Sequence, residues 1–279
     1  MDEHDVVIAL SNPANVRPLM KLGCMMAKEF EGKAIAGTVV TIEGDAPPGD
    51  DHHDRMSRGY DLLRDAERVA TEMGTRFEGR IAVARGIEDV LDEVAAARHA
   101  RAIIMGYSER EHPMPGQRDF DRLIDDVAAH APCDLIVARF KDGGVNYGRV
   151  LVPVSRRLNM DVRRDLVTAL HHQAGAQVDL IHFATNDAEA ERMHAELVEW
   201  LQERGVADWI EPRVEIRPDP AEAIVEAGAD YDALVLGTAP LQTVRRRLFG
   251  SVAEQVAENA TCTTLLVRTY EGVREYYRR

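Results

Sequence analysis

The strongest constraint on the fold is an internal repeat, because three segments of the first half recur in the same order in the second half. The matched pairs are Val6–Ser11 with Val150–Ser155, Ala102–Gly106 with Ala233–Gly237, and residues 120–139 with residues 249–268, the last pair without a gap. Three matches in one order are best explained by copying of a single structural unit. The sequence therefore predicts a tandem duplication.

Within each repeat, short apolar runs alternate with segments whose apolar residues recur at helical spacing. Strict alternation of strand and helix predicts a parallel sheet that is covered on both faces. Five strands and four crossovers per repeat fit a doubly wound, three-layer α/β domain. The predicted boundaries are a first domain at 1–140, a linker at 141–148, a second domain at 149–268 and a tail at 269–279.

Composition narrows the class of function. A net charge of −14 argues against a general affinity for nucleic acid or anionic lipid. No apolar run approaches the roughly 20 residues of a membrane helix, and the acidic N-terminus argues against a secretory signal. The three cysteines are odd in number and unpatterned, which is typical of reduced thiols. These features predict a cytoplasmic protein.

One stretch of the second repeat has the pattern of an anion site. The predicted strand ends on Gly237, a loop follows, and Gly250-Ser251 opens a helical pattern that continues with Val252. Small residues let backbone N–H groups approach a phosphate, and a helix N-terminus adds a favourable partial charge. The competing interpretation is structural: Gly237 turns the chain, and Gly250-Ser251 caps the helix.

The spacing of these residues resembles that of the universal stress protein family, which carries Gly-x2-Gly-x9-Gly-[Ser/Thr] before its last helix. The resemblance implies two fused domains of the adenine nucleotide alpha-hydrolase-like fold and a regulatory role in stress responses. It also implies an adenine nucleotide, ATP or AMP, in the second domain, with Mg²⁺ accompanying ATP, and a homo-oligomer. The candidate nucleotide-binding residues are Gly237, Pro240, Gly250, Ser251, Val252, Ser155 and Phe183.

Two of these positions depart from the family pattern. Pro240 replaces the second glycine of the motif, so it offers no N–H and holds φ near roughly −65°. Ser155 stands where nucleotide-binding members carry an aspartate after the first strand. The first repeat departs further, since Asp121-Arg122 occupies the place of Gly250-Ser251. The first repeat is therefore predicted to be degenerate as a nucleotide site.

Three functions stay open on this evidence. The first is a non-catalytic regulator that binds an adenine nucleotide in its second domain. The second is a nucleotide-free interaction module, for example a cytosolic regulator of a membrane transporter, because family members occur beside or fused to transporters. The third is an enzyme of the related nucleotide-hydrolase or flavoprotein superfamily, which would need a positioned base or metal near Gly237.

Other chemistry-bearing residues have simpler explanations. Asp50-Asp51-His52-His53-Asp54 contains metal-ligand residue types beside a Pro-Pro-Gly run, and we interpret the segment as a solvated acidic loop. Cys133 and Cys262 occupy equivalent places before the fifth strand of each repeat, where small apolar side chains pack. The sequence assigns no catalytic residue and no metal ligand.

Overall fold

The structure is a computed structural model, and it describes residues 4–41, 50–84, 87–107, 124, 127–128, 130–141, 143, 146–155, 164–237 and 251–270. The chain forms two compact units, Met1–Ala138 (unit 1) and Arg139–Arg279 (unit 2). Among the described helices, none combines the length and the apolarity that a membrane span requires.

Unit 1 is built around strand β1. Its elements are β1 (Val6–Ala9), α1 (Pro13–Glu29), β2 (Ala34–Thr41), α2 (Asp50–Glu72), β3 (Phe77–Ala84), α3 (Ile87–Ala97), β4 (Ala102–Gly106) and β5 (Asp134–Arg139). The strands lie in the order β3-β2-β1-β4-β5, and each neighbouring pair is parallel.

Unit 2 repeats this plan around strand β6. Its elements are β6 (Arg149–Pro153), α4 (Arg164–Ala174), β7 (Gln177–Ala184), α5 (Asp187–Arg204), β8 (Ile210–Ile216), α6 (Pro220–Gly228), β9 (Ala233–Gly237), α7 (Ser251–Asn259) and β10 (Thr263–Arg268). The parallel strands lie in the order β8-β7-β6-β9-β10, which is the order of unit 1 when equivalent strands are compared. The predicted fold class is confirmed.

Local sequence explains where the helices begin and end. Asp219 accepts hydrogen bonds from the N–H groups of the two residues after Pro220, so it caps α6 while the proline occupies the first helical position. Asn186 caps α5 by accepting from the N–H of Glu189, and Gly205 ends that helix with φ at 64°. Positive φ is the conformation for which glycine is preferred.

The apolar runs become the central strands. β4 is buried from Ala102 to Met105 and β9 from Ala233 to Leu236. Successive residues of a strand point to opposite faces of the sheet, so both faces of these strands are buried and their sequence is apolar without alternation. The edge strands differ, since Val83 on β3 and Ile216 on β8 are each 48% exposed.

One predicted boundary is wrong. The segment Asp50–Asp54 was expected to form a loop, but α2 begins at Asp50 and therefore includes it. The loop breakers Pro47, Pro48 and Gly49 end just before this point, and aspartates in a first helical turn suit the helix dipole. The aspartates are better explained as helix-initiating residues than as loop residues.

Tyr147, in the predicted linker, is only 2% exposed. Its hydroxyl has no hydrogen-bond partner among the described residues, and burial raises the pKa of that hydroxyl. A buried hydroxyl without a partner lowers stability. We expect Tyr147→Phe to leave the free energy of unfolding unchanged or to raise it by up to about 1 kcal/mol, as measured by urea unfolding.

Tyr231→Phe is the matched control for Tyr147→Phe. The Tyr231 hydroxyl donates to Asp179 and accepts from Arg213 at 2.7 Å, so its removal deletes two hydrogen bonds to charged side chains. We expect this variant to lose about 1–2 kcal/mol. A loss of that size in Tyr147→Phe would show that the Tyr147 hydroxyl does have a partner.

Candidate functional site

The strand order of unit 2 reverses between β6 and β9. From β6 the chain passes to β7 on one side, whereas β9 pairs with β6 on its other side, with Val150 opposite Ala233 and Leu151 opposite Leu234. The connections that leave β6 and β9 therefore diverge. In doubly wound sheets, ligands bind at the carboxyl ends of strands at such a switch point.

Several predicted site residues lie around this edge of the sheet. Gly237 is the last residue of β9 and pairs with Val267 of β10. Ser155 follows β6 and is exposed. Phe183 is half-buried near the end of β7, and Ser251 and Val252 are the first residues of α7. Val252 is 39% exposed. Pro240 and Gly250 lie outside the described residues.

At the equivalent edge of unit 1, side chains of α1 lie against Gly106. Gly106 ends β4, and a Cβ added there would lie 3.1 Å from Asn15 Nδ2 and 3.3 Å from Leu19 Cδ1, both on α1. The next N–H, that of Tyr107, donates to the carbonyl of Ala138 at 2.7 Å. An N–H that is already paired is not available to a phosphate. The Tyr107–Ala138 bond continues the parallel ladder of β4 and β5.

Sequence reasoning missed a polar cluster close to Ser155 in unit 2. His182 on β7 is buried, and its ring contacts the carbonyl of Val154, the residue that precedes Ser155. The carboxylate of Glu189 on α5 accepts hydrogen bonds from the N–H and the hydroxyl of Thr185 at 2.8 and 2.6 Å. The one available signal was the spacing Asn186-x-x-Glu189, which is a capping-box pattern.

The cysteines have the properties of packing residues. Cys24, Cys133 and Cys262 are all buried and free of disulfides. Burial raises the pKa of the Cys24 thiol to about 11 and also raises the pKa of the Cys262 thiol. Because the thiolate is the reactive form, these two side chains are poor nucleophiles at neutral pH.

Metal-ligand side chains are not clustered in the described part of the chain. There, no group of three or more His, Cys, Asp or Glu residues is placed to hold an ion. His53 and Asp54, from the segment with metal-ligand residue types, are exposed in the first turns of α2.

Comparison with known proteins identifies the second half of the chain directly. Residues 146–268 match the Universal stress protein family. No curated protein matches the chain.

Solved structures match nearly the whole chain. A universal stress protein from Archaeoglobus fulgidus DSM 4304 is 14% identical, with a TM-score of 0.66 over 95% of this chain and 96% of that one. A functionally unknown protein from Pseudomonas aeruginosa PAO1 is 14% identical, with a TM-score of 0.62 over 99% and 96%. The cytoplasmic domain of a prokaryotic cation chloride cotransporter is 11% identical, with a TM-score of 0.65 over 97% of each chain. At these identities the similarity concerns the fold.

The family match covers unit 2 from before β6 to the end of β10, and the strand order of unit 2 recurs in unit 1. Residues 146–268 belong to the universal stress protein family, and the chain as a whole carries the fold of that family twice.

Proposed function

We propose that the chain is a non-catalytic regulatory protein of the universal stress type that binds an adenine nucleotide, ATP or AMP, in unit 2. The observation that carries the proposal is the placement of Ser155 and Gly237 after two adjacent strands at the point where strand order reverses. Unit 1 is not proposed to bind nucleotide, because Asn15 and Leu19 lie over Gly106.

Each proposed ligand residue has a role that its chemistry supports. Gly237, Gly250 and Ser251 would receive the phosphates, with backbone N–H groups and the Ser251 hydroxyl as donors at the start of α7. Ser155 and Phe183 would lie against the nucleoside, and Val252 beside the phosphates. Pro240 would shape the loop without donating an N–H. Mg²⁺ would accompany ATP through its phosphates rather than through protein ligands.

Calorimetric titration tests this proposal. Purified protein is titrated with ATP and with AMP, with and without Mg²⁺, and a second aliquot is gently denatured and searched by mass spectrometry for a co-purified nucleotide. We expect one binding site per chain. Absence of binding at millimolar nucleotide, together with the absence of a co-purified nucleotide, would contradict the proposal.

Ser155→Asp should strengthen nucleotide binding. The family pattern places an aspartate here, and a carboxylate accepts charge-assisted hydrogen bonds from hydroxyl groups that are about twice as strong as those a serine makes. We expect a gain of about tenfold in affinity in the calorimetric titration. Ser11→Asp, the same change at the equivalent position of unit 1, should leave affinity and stoichiometry unchanged. Equal gains in both variants would contradict the assignment of the site to unit 2.

The second candidate function is a nucleotide-free interaction module, such as a regulator of a membrane transporter. The replacements at Pro240 and Ser155 favour this function, because both alter groups that nucleotide-binding members use. One protein with this fold over its whole length is the cytoplasmic domain of a prokaryotic cation chloride cotransporter. A protein that binds no nucleotide but co-sediments with vesicles containing a transporter would establish this alternative.

A cytoplasmic location and a homo-oligomeric state complete the proposal. Both are open to direct measurement, the first by cell fractionation and the second by light scattering across a range of protein concentrations. A mass equal to that of one chain at all concentrations would remove the homo-oligomer from the proposal.

A further inference from the structure

Strand β3 leaves one edge of the unit 1 sheet without a neighbouring strand. It pairs with β2 on one side, and no described strand lies beyond it on the other side. The N–H of Ala34 on β2 donates to the carbonyl of Arg76 at 2.9 Å, so every second residue from Arg76 onwards directs its N–H and C=O groups towards β2. The N–H and C=O groups of Phe77, Gly79 and Ile81 therefore point away from β2, at the free edge.

The equivalent edge of unit 2 is blocked by a proline. Pro212 is the third residue of β8, as Gly79 is the third residue of β3. The N–H of Arg217 donates to the carbonyl of Ala184 at 3.0 Å, so the nitrogen of Pro212 lies on the side of β8 that faces away from β7. A proline at such a position protects an edge strand from pairing with another chain. β3 contains no proline, and a glycine inside a strand is typical of a close approach by another backbone.

The side chains of β3 are placed symmetrically about Gly79. Glu78 and Arg80 flank the glycine and point to one face of the sheet, with Arg80 Nε 2.7 Å from Glu78 Oε1. Both remain accessible, since the Arg80 side chain is 40% exposed and the Glu78 side chain 27%. Phe77 and Ile81 lie on the other face and are half-buried. The strand therefore carries an opposite-charge pair on one face and an apolar pair on the other.

We propose that the free edge of β3 binds a second copy of this chain, with the two β3 strands antiparallel about a two-fold axis at Gly79. The inference rests on the homo-oligomeric state proposed above and names its interface. Gly79 then faces the partner's Gly79, and Phe77 faces the partner's Ile81. In each copy the outward N–H groups of these three residues gain carbonyl acceptors on the partner strand. A side chain is absent where the two backbones cross the axis.

The charges of β3 select this register. With the axis at Gly79, Glu78 lies opposite the partner's Arg80, and Arg80 lies opposite the partner's Glu78. Moving the axis by one residue in either direction would place Glu78 opposite the partner's Glu78 or Arg80 opposite the partner's Arg80. Like charges directly opposite each other destabilise a strand pair, whereas opposite charges and aromatic–β-branched pairs stabilise it. The same charges, Glu211 and Arg213, flank Pro212 in β8, so the proline is what distinguishes the two edges.

Sedimentation velocity of the full chain, without added nucleotide, measures the association. A contact made by one strand pair is at the small end of protein–protein interfaces, so we expect a reversible dimer with a Kd of about 1–10 μM. The mass should then rise from that of one chain to that of two chains between about 0.1 and 100 μM protein.

Gly79→Pro gives β3 the residue that β8 has at the same place. We expect the dimer of this variant to be about thirtyfold weaker, because each copy loses one main-chain hydrogen bond across the axis. Pro212 shows that the fold accepts proline at this point of an edge strand, and circular dichroism with urea unfolding checks that the variant is folded. Val214→Pro, at an outward position of the edge that is already blocked, is the matched control and should leave the Kd of the dimer unchanged.

A pair of charge variants tests the register itself. Arg80→Glu and Glu78→Arg each place like charges opposite each other when two identical copies pair, so each variant alone should dimerise at least about tenfold more weakly. An equimolar mixture of the two restores opposite charges on both sides of Gly79, and it should form a mixed dimer with about the natural affinity. If Glu78 and Arg80 served only the folding of their own chain, mixing would not restore association.

The outcomes separate this inference from the proposed function. A natural protein with the mass of one chain at about 100 μM would overturn the β3 interface and the homo-oligomer together. An oligomer whose mass and Kd are unchanged in folded Gly79→Pro protein would overturn the β3 interface alone and place the contact elsewhere. Neither result changes the calorimetric test of nucleotide binding, which concerns unit 2.

Discussion

A chain that carries Gly250→Asp and Ser251→Arg will bind adenine nucleotide at least about a hundredfold more weakly than the natural protein. These changes give unit 2 the residues that unit 1 has at the same place, Asp121 and Arg122. The aspartate places a negative charge where the phosphates would lie and adds a side chain where the backbone must approach closely. The arginine removes the Ser251 hydroxyl, and its own charge does not offset the loss of that short-range donor.

The measurement is calorimetric titration with ATP, supported by circular dichroism to show that the variant keeps its helix content. Ser251 is the first residue of α7 and Gly250 precedes it in the sequence, where Asp is a good helix-initiating residue, so the fold should tolerate the exchange. Unchanged affinity in a folded variant would place the nucleotide elsewhere or leave only the interaction module.

The reciprocal exchange, Asp121→Gly with Arg122→Ser, is the matched control in unit 1. It should not create a second nucleotide site, because Asn15 and Leu19 lie over Gly106 and the N–H of Tyr107 is already bonded to Ala138. A stoichiometry of two nucleotides per chain would show that the loop residues alone decide binding. A stoichiometry of one would show that the α1 side chains decide it as well.

The parts of the fold that depend on periodicity were predictable from the sequence. Buried strands such as β4 and β9 are continuous apolar runs, and the repeat shows that both halves share one topology. The start of α2 was not predictable in the same way. The segment Asp50–Asp54 contains loop-type residues, and only the breakers Pro47 to Gly49 mark the point where the helix can begin.

The candidate site was predictable only where a motif carries it. The spacing of Gly237, Gly250 and Ser251 predicts an anion-binding loop and stays a prediction. The contacts of Asn15 and Leu19 with Gly106 were not predictable, because these residues are distant from Gly106 in the chain and meet it only through packing of α1 on β4. His182 was missed for the same reason, since a single histidine in an apolar strand gives no sign of the carbonyl and the carboxylate that its ring contacts.

Gly32→Ala is expected to destabilise unit 1 by about 3 kcal/mol or more. This is the largest loss of stability that we expect from replacing any one of the described glycines by alanine. Gly32 follows α1, and the usual reason for a glycine there would be a positive φ. In this chain Glu31 takes the positive φ, at 53°. Gly32 is needed for a different reason, because a Cβ at this position would lie 1.9 Å from the carbonyl oxygen of His4.

The obstacle to a side chain at Gly32 is backbone, which cannot move aside as a side chain can. The N–H of Gly32 donates to Ala27 at 2.8 Å, so the residue is also held from the α1 side, and relief of the contact would separate α1 from the segment that enters β1. Gly37→Ala on β2 is the control, since a Cβ there meets nothing within 4 Å. Urea unfolding of both variants measures the difference, and hydrogen exchange should place the loss in α1 and β1 rather than in unit 2. Equal stability of the two variants would mean that the His4 carbonyl can turn away from Gly32. The segment before β1 would then be held less tightly against the residues that follow α1 than the contacts indicate.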